Sequence, residues 1–174
     1  MNQNYDFYIV TQYENETEIN NFDCGYQVFN DYLKYKFLDD KAVIHYVINA
    51  DDDTLMAYFS LTASGMLFSV NSKKSGVIPA IELKMFAIDK KYRGVRLSET
   101  LKLSGKMLKW IYAIIKDYTL RYVGAKALIL YAVPAVVKMY EKEGFIQMPG
   151  NSSMYEYKSL FNDGCIAMYK FIEF

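Results

Sequence analysis

Residues 80–101 read AIELKMFAIDKKYRGVRLSETL, and the way this stretch divides decides the architecture. AIELKMFAID has the composition of a strand and follows Pro79 directly. KKYRG is a basic loop. From Ser98 to Lys116 the pattern is an amphipathic helix: Glu99, Lys102, Lys106 and Lys109 recur every three or four residues, while Leu101, Leu108, Ile111 and Ile115 form an apolar face. A strand, a basic glycine-containing loop and a helix in succession are what a phosphate-cradling turn requires, because amides at a helix start attract anions. Arg96 and Ser98, however, stand where such turns usually place small residues.

On the amino-terminal side, AVIHYVINA and TLMAYFSLTA flank Asp51, Asp52 and Asp53 and predict an antiparallel hairpin. Short carboxylates that bond local amides suit a turn, so the three aspartates are read as a turn and not as a metal site. Earlier still, Val28, Phe29, Tyr32 and Leu33 lie at helical spacing, with Asp23 placed to cap the helix. On the carboxyl-terminal side, Gly124 closes the long helix and AKALILYA is a strand. Pro134 opens a short helix, VVKMYEKE, stopped by Gly144, and FIQM and CIAMYKFIE are final strands. This order predicts an α/β fold with a mixed central sheet of about six or seven strands and helices on both faces. Without a repeat or a Pro/Gly/Ser-rich linker, residues 1–174 are expected to form a single domain.

The chain is 52% apolar and 17% aromatic, ample for one core, and it has no run of about 18 apolar residues. A soluble, cytoplasmic protein is expected, with no membrane partner. Cys24 and Cys165 are too few for a disulfide framework or a zinc site and read as reduced, packed thiols. The only histidine, His45, reads as packing or surface. Zero net charge conceals an asymmetry: residues 1–83 carry five lysines against twelve acids, and residues 84–126 carry eleven bases against three acids. The basic segment 84–126 could attract nucleic-acid phosphates or simply form a solvated face.

The element order and three local patterns resemble the GNAT N-acetyltransferase superfamily over nearly the whole chain, and most closely its toxin branch, the partners of small antitoxins. FDCGYQVFNDYL (Phe22 to Leu33) resembles the opening helix of that branch. ELKMFAIDKKYRG is similar to the strand and loop that hold acetyl-CoA, and MYEKEGF (Met139 to Phe145) is similar to the tyrosine-bearing ending. By this resemblance, Met85, Phe86, Ala87 and Ile88 lend backbone groups to the pantetheine arm. Arg93, Gly94, Val95, Arg96, Leu97 and Ser98 then form the pyrophosphate loop. The resemblance also makes Tyr140 the general acid for the departing thiolate and puts Glu82 where related enzymes sometimes hold a base. Packing in an aromatic-rich core is the other reading of Tyr140.

Departures from the family pattern matter in the loop, at Arg96 and Ser98, and again at Tyr131. Arg96 in place of glycine crowds the loop, and its guanidinium could itself contact phosphate. Glu99 at the helix start would repel phosphate, and Tyr131 stands where relatives often carry a small polar or acidic residue. The resemblance implies acetyl-CoA as cosubstrate, no metal, and transfer to a primary amine such as the amino group of an aminoacyl-tRNA. The partners it implies are a tRNA over segment 84–126, a small antitoxin and a second copy of the chain. The alternatives are a protein of the same fold that has lost cofactor binding and serves as an interaction module, and a small-molecule amine acetyltransferase.

Overall fold

β-branched and aromatic runs form strands on either side of an acidic turn, β2 (Val43–Asn49) and β3 (Leu55–Asn71), paired antiparallel with Tyr46 opposite Tyr58. The structure is a computed structural model and describes residues 5–35, 41–71, 74–149 and 164–173. Before the hairpin come β1 (Phe7–Val10), α1 (Glu16–Asn21) and α2 (Gln27–Tyr35). After it come β4 (Lys74–Ile88), α3 (Leu103–Arg121), β5 (Ala127–Ala132), α4 (Val137–Lys142), β6 (Ile146–Gln147) and β7 (Ile166–Phe171). The strands form a seven-stranded sheet in the order β1-β2-β3-β4-β5-β7-β6. The sheet is mixed as expected: β4 and β5 are parallel, a pairing that needs a long crossover such as α3 provides.

Met1–Leu61 with Lys84–Met107 make one compact unit, and Thr62–Leu83 with Leu108–Phe174 make another. In the first unit the core is built on Tyr32, Leu33, Val47, Ile48 and Met56 to Phe59, all almost fully buried. The Tyr58 hydroxyl donates to the Phe29 carbonyl at 2.7 Å, and its ring stacks on Tyr32, whose own hydroxyl meets Ser60 Oγ at 3.3 Å. Buried phenols are therefore hydrogen-bonded, as burial demands. Burial raises the Tyr58 phenol far above its ordinary value, with the neighbouring Cys24 and Tyr32 adding to the effect. The unfolded chain releases this proton near pH 10 and the folded chain holds it, so stability is full below that value and falls above it. A Tm series should be flat from pH 8 to 9.5 and fall steeply beyond; Tyr58→Phe should weaken that alkaline fall, and an unchanged profile would refute the assignment.

The three aspartates make the expected turn. Asp52 accepts from the Thr54 amide at 3.1 Å and its hydroxyl at 2.7 Å, and Asp53 takes φ +58° and accepts from the Tyr8 hydroxyl at 2.9 Å. Among the described residues no group of three or more His, Cys, Asp and Glu side chains could hold a metal. His45 is half-buried and lies 4.6 Å from the Phe59 ring in a stacked arrangement, and burial lowers its pKa. Asp23 does not cap α2, contrary to expectation. The helix begins later, at Gln27, because Gly25 turns the chain at φ +82° and the Asp23 carboxylate is taken up by the Gly25 amide, Asn30 and Lys90.

In the second unit β5 is an almost continuously buried ALIL run, as suits a strand covered on both faces. Ala80, Ala127 and Ile129 pack with Ile78, Tyr131, Met148, Ala167 and Tyr169, so Tyr131 serves as packing surface. The predicted apolar face of the long helix is real at Leu108, Ile111 and Ile115, all buried. No described helix is long and apolar enough to cross a membrane. Cys24 is buried and Cys165 half-buried.

Candidate functional site

β4 runs parallel to β5 over Ala80–Leu83 against Ala127–Leu130 and then continues through Lys84–Ile88. Met85 and Ala87 point into the core, whereas Phe86 and Ile88 are half-buried on the other side of the strand. Glu82 lies in the paired part of β4, opposite Ile129, and is half-buried.

β4 ends on Asp89, a buried carboxylate that accepts from the amides of Asp23 at 3.0 Å and Lys91 at 2.9 Å. A 3-10 turn over Lys90–Tyr92 follows, and Lys90 within it and Arg93 after it reach back to the Asp23–Tyr26 stretch. The Lys90 amide donates to the Asp23 carbonyl at 2.9 Å and its ammonium to the Asp23 carboxylate at 2.7 Å. That ammonium, the Gly25 amide and Asn30 together hold the Asp23 carboxyl at about 2, below its ordinary value. The Arg93 guanidinium donates to the Cys24 carbonyl and lies 5.9 Å from the Tyr26 ring centre. Arg93, expected on a phosphate, is here a strut between two loops.

Gly94 follows at φ +77° with nothing within 4 Å of the place a Cβ would occupy. Backbone conformation, and not crowding, is what calls for glycine there. Beyond it the structure departs from the sequence reading. The long helix starts at Leu103 and not at Ser98, because residues 96–102 fold back on themselves. Arg96 and Lys102 form an antiparallel bridge, and the Leu103 amide donates to the Val95 carbonyl at 3.0 Å. Inside this clip the Leu97 and Ser98 amides both donate to the Leu101 carbonyl, at 2.9 and 3.2 Å. Ser98 Oγ accepts from the Leu101 amide at 3.1 Å, and Arg96 reaches the Glu99 carbonyl at 3.4 Å. The amides of Leu97 and Ser98, two of the expected cradle, are therefore satisfied within the loop.

The clip brings Val95 next to Leu103, so the Gly94 turn leads directly into the first turn of α3 at Leu103, Ser104 and Gly105. First-turn amides have no helical partner. The sequence signal for this arrangement was Ser104-Gly105, two small residues separated by Lys106 alone from the apolar pair Met107 and Leu108. Among the bases of segment 84–126, Lys90, Lys91, Arg93, Arg96, Lys102, Lys109, Arg121 and Lys126 are exposed. Lys106 instead donates to the Tyr5 carbonyl at 2.8 Å and approaches Asp6 at 3.4 Å.

In the second unit Pro134–Val136 forms a 3-10 turn that leads into α4, which carries Tyr140. The Tyr140 ring is buried and meets Phe145 edge-on at 5.5 Å. Burial pushes its phenol well above the ordinary tyrosine value, so the hydroxyl stays protonated at any physiological pH. Gly144, at φ +85°, ends the helix: its amide donates to the Glu141 carbonyl at 3.0 Å, and the Phe145 amide to the Tyr140 carbonyl at 3.1 Å.

The mixed seven-stranded sheet, with its parallel β4–β5 pair joined through the glycine turn and α3, has the GNAT-like α/β fold. Solved structures show the same fold. A bacterial toxin superposes with TM-score 0.72 at 16% identity, over 97% of this chain and 92% of that one. AtaTR bound with acetyl-CoA gives 0.70 at 16%, over 96% and 94%. AtaT complexed with acetyl-methionyl-tRNAfMet gives 0.63 at 18%, over 93% and 94%. No protein-family model matches the chain, and no curated protein sequence does. At these identities the likeness establishes the fold.

Proposed function

We propose that the protein is an acetyl-CoA-dependent N-acetyltransferase that modifies the amino group of an aminoacyl-tRNA, as the toxin of a pair with a small antitoxin. The observation that carries this reading is β4, which leaves its parallel partner after Leu83 and runs directly into the Gly94 turn and α3. Solved structures of similar fold with acetyl-CoA, with the C-terminus of an antitoxin and with acetyl-methionyl-tRNAfMet support it.

The residues present fit the cosubstrate on revised terms. Backbone groups of Met85, Phe86, Ala87 and Ile88 would hold the pantetheine arm. Gly94, Val95 and the first turn of α3 at Ser104 and Gly105 would hold the pyrophosphate, with Arg96 and Lys102 beside them at the base of the clip. Bound acetyl-CoA supplies a thioester whose C–S bond breaks as the acceptor amine attacks. Tyr140 donates its O–H to the departing sulfur, and Glu82 is the base proposed to take the amine's proton. A phenol held above its ordinary pKa is a constant hydrogen-bond donor and a weak acid, so it stabilises charge on sulfur as that charge develops. The test is transfer of radiolabelled acetyl from acetyl-CoA to aminoacyl-tRNA.

A second reading has a specific observation behind it: the Leu97 and Ser98 amides are occupied and Arg93 is engaged, as in a protein that no longer binds the cosubstrate. Such an interaction module would fold cooperatively and show no thermal response to acetyl-CoA. The RNA part has its own test. Lys91→Glu with Lys102→Glu, both exposed, should weaken tRNA binding and reduce its salt dependence by roughly two phosphate contacts. Equal binding by wild type and variant across a salt series would remove tRNA from this face and leave a small amine as acceptor.

A further inference from the structure

We propose that Lys170 is a positioning residue that fixes the end of α4 and, through it, the Tyr140 hydroxyl; this rests on the acetyl-transfer reading. Lys170 lies on β7, half-buried, with its ammonium donating to the Glu143 carbonyl at 2.7 Å. That carbonyl is one of those a helix leaves unpaired at its carboxyl end, where a cation is also favoured by the helix dipole. The same ammonium stands 4.1 Å from the centre of the Tyr112 ring, and the Tyr112 hydroxyl donates to the Phe171 carbonyl at 3.2 Å. Lys170 packs against Gly144, where a Cβ would sit in ordinary contact with the ammonium at 3.5 Å and with Cε at 3.6 Å; it is the backbone, at φ +85°, that calls for glycine there.

A half-buried ammonium is costly to desolvate, and this one is held from two sides, by a carbonyl and a ring. The carbonyl belongs to the turn whose amides, at Glu143 and Phe145, both donate to the Tyr140 carbonyl, at 3.0 and 3.1 Å. The chain of contact therefore runs from β7 through Lys170 to the turn that closes on Tyr140. α4 is only six residues long and has no side-chain cap at its start, so its far end carries much of its definition. A shift of about 1 Å at a catalytic group costs up to 10²-fold in rate.

The experiment is a double-mutant cycle on acetyl transfer with wild type, Lys170→Met, Tyr140→Phe and the double variant. Lys170→Met keeps the aliphatic stem and loses the donor and charge. It should lower kcat about tenfold with the KM for acetyl-CoA unchanged, and it should cost nothing further once Tyr140 is Phe. A double variant whose loss equals the product of the single losses, or an unchanged kcat in Lys170→Met, would overturn the inference. If Lys170→Met gives no cooperative melt, Lys170→Leu, which also lacks the donor and the charge, takes its place with the same expectations. A wild type that transfers no acetyl overturns the acetyl-transfer reading and this inference with it, whereas a Tyr140→Phe variant as fast as wild type, or multiplicative losses on a working enzyme, overturns this inference alone.

Discussion

Tyr140→Phe is expected to fold, to bind acetyl-CoA with wild-type affinity and to transfer acetyl at least about 10²-fold more slowly, the usual scale for losing a positioned proton donor. The substitution removes one oxygen from a buried ring and leaves its edge-on contact with Phe145 at 5.5 Å in place, so the helix should not notice. Because burial holds the phenol above its ordinary value, the wild-type rate should show no loss attributable to this group between pH 7 and about 9.5. Measured kcat against pH, for wild type and variant together, separates the donor from the packing role. Equal rates in the two proteins would leave Tyr140 as core and nothing more.

The second large effect concerns the cosubstrate. At 100 times its Kd, acetyl-CoA should stabilise the wild type by about 2.7 kcal/mol, a rise of roughly 5–10 °C in Tm for a domain of this size. Ser104→Asp should abolish most of that rise, since it sets a carboxylate in the first turn of α3 where the phosphates would lie. The same change should not harm the free protein, because an acid in the first turn suits the helix dipole by about 0.3–1 kcal/mol. Unligated Tm therefore stays level or climbs slightly while the ligand response disappears. A Ser104→Asp protein that still responds fully would move the phosphates away from α3, and a wild type without response would favour the interaction module.

Much of this architecture was legible because periodicity is local. The hairpin around Asp51–Asp53, the apolar stripe of Leu108, Ile111 and Ile115, the buried ALIL strand and the Gly144 stop are all written in neighbouring residues. What escaped depended on partners distant in the chain. Asp23 looks like a helix cap until Lys90 and Asn30 claim its carboxylate, and Arg93 looks like a phosphate ligand until the Cys24 carbonyl claims its guanidinium. α1 and β1 are short, six and four residues, and offer too little pattern to read. The helix start was misplaced by five residues, from Ser98 to Leu103. A turn whose amides are satisfied by the carbonyl of Leu101 leaves no compositional trace.

The clip at Val95 and Leu103 also bears on how such a chain can change over evolutionary time. Its tip, Ser98 to Thr100, is exposed, and its base is fastened by a backbone bridge and a hydrogen bond that do not depend on side-chain identity. Residues could be gained or lost at the tip with little consequence for Gly94 on one side or Ser104 on the other. Spacing between those two anchors is then a neutral character, free to drift between lineages, and a pattern that counts positions onward from Arg93 will lose its register in any descendant where it has drifted.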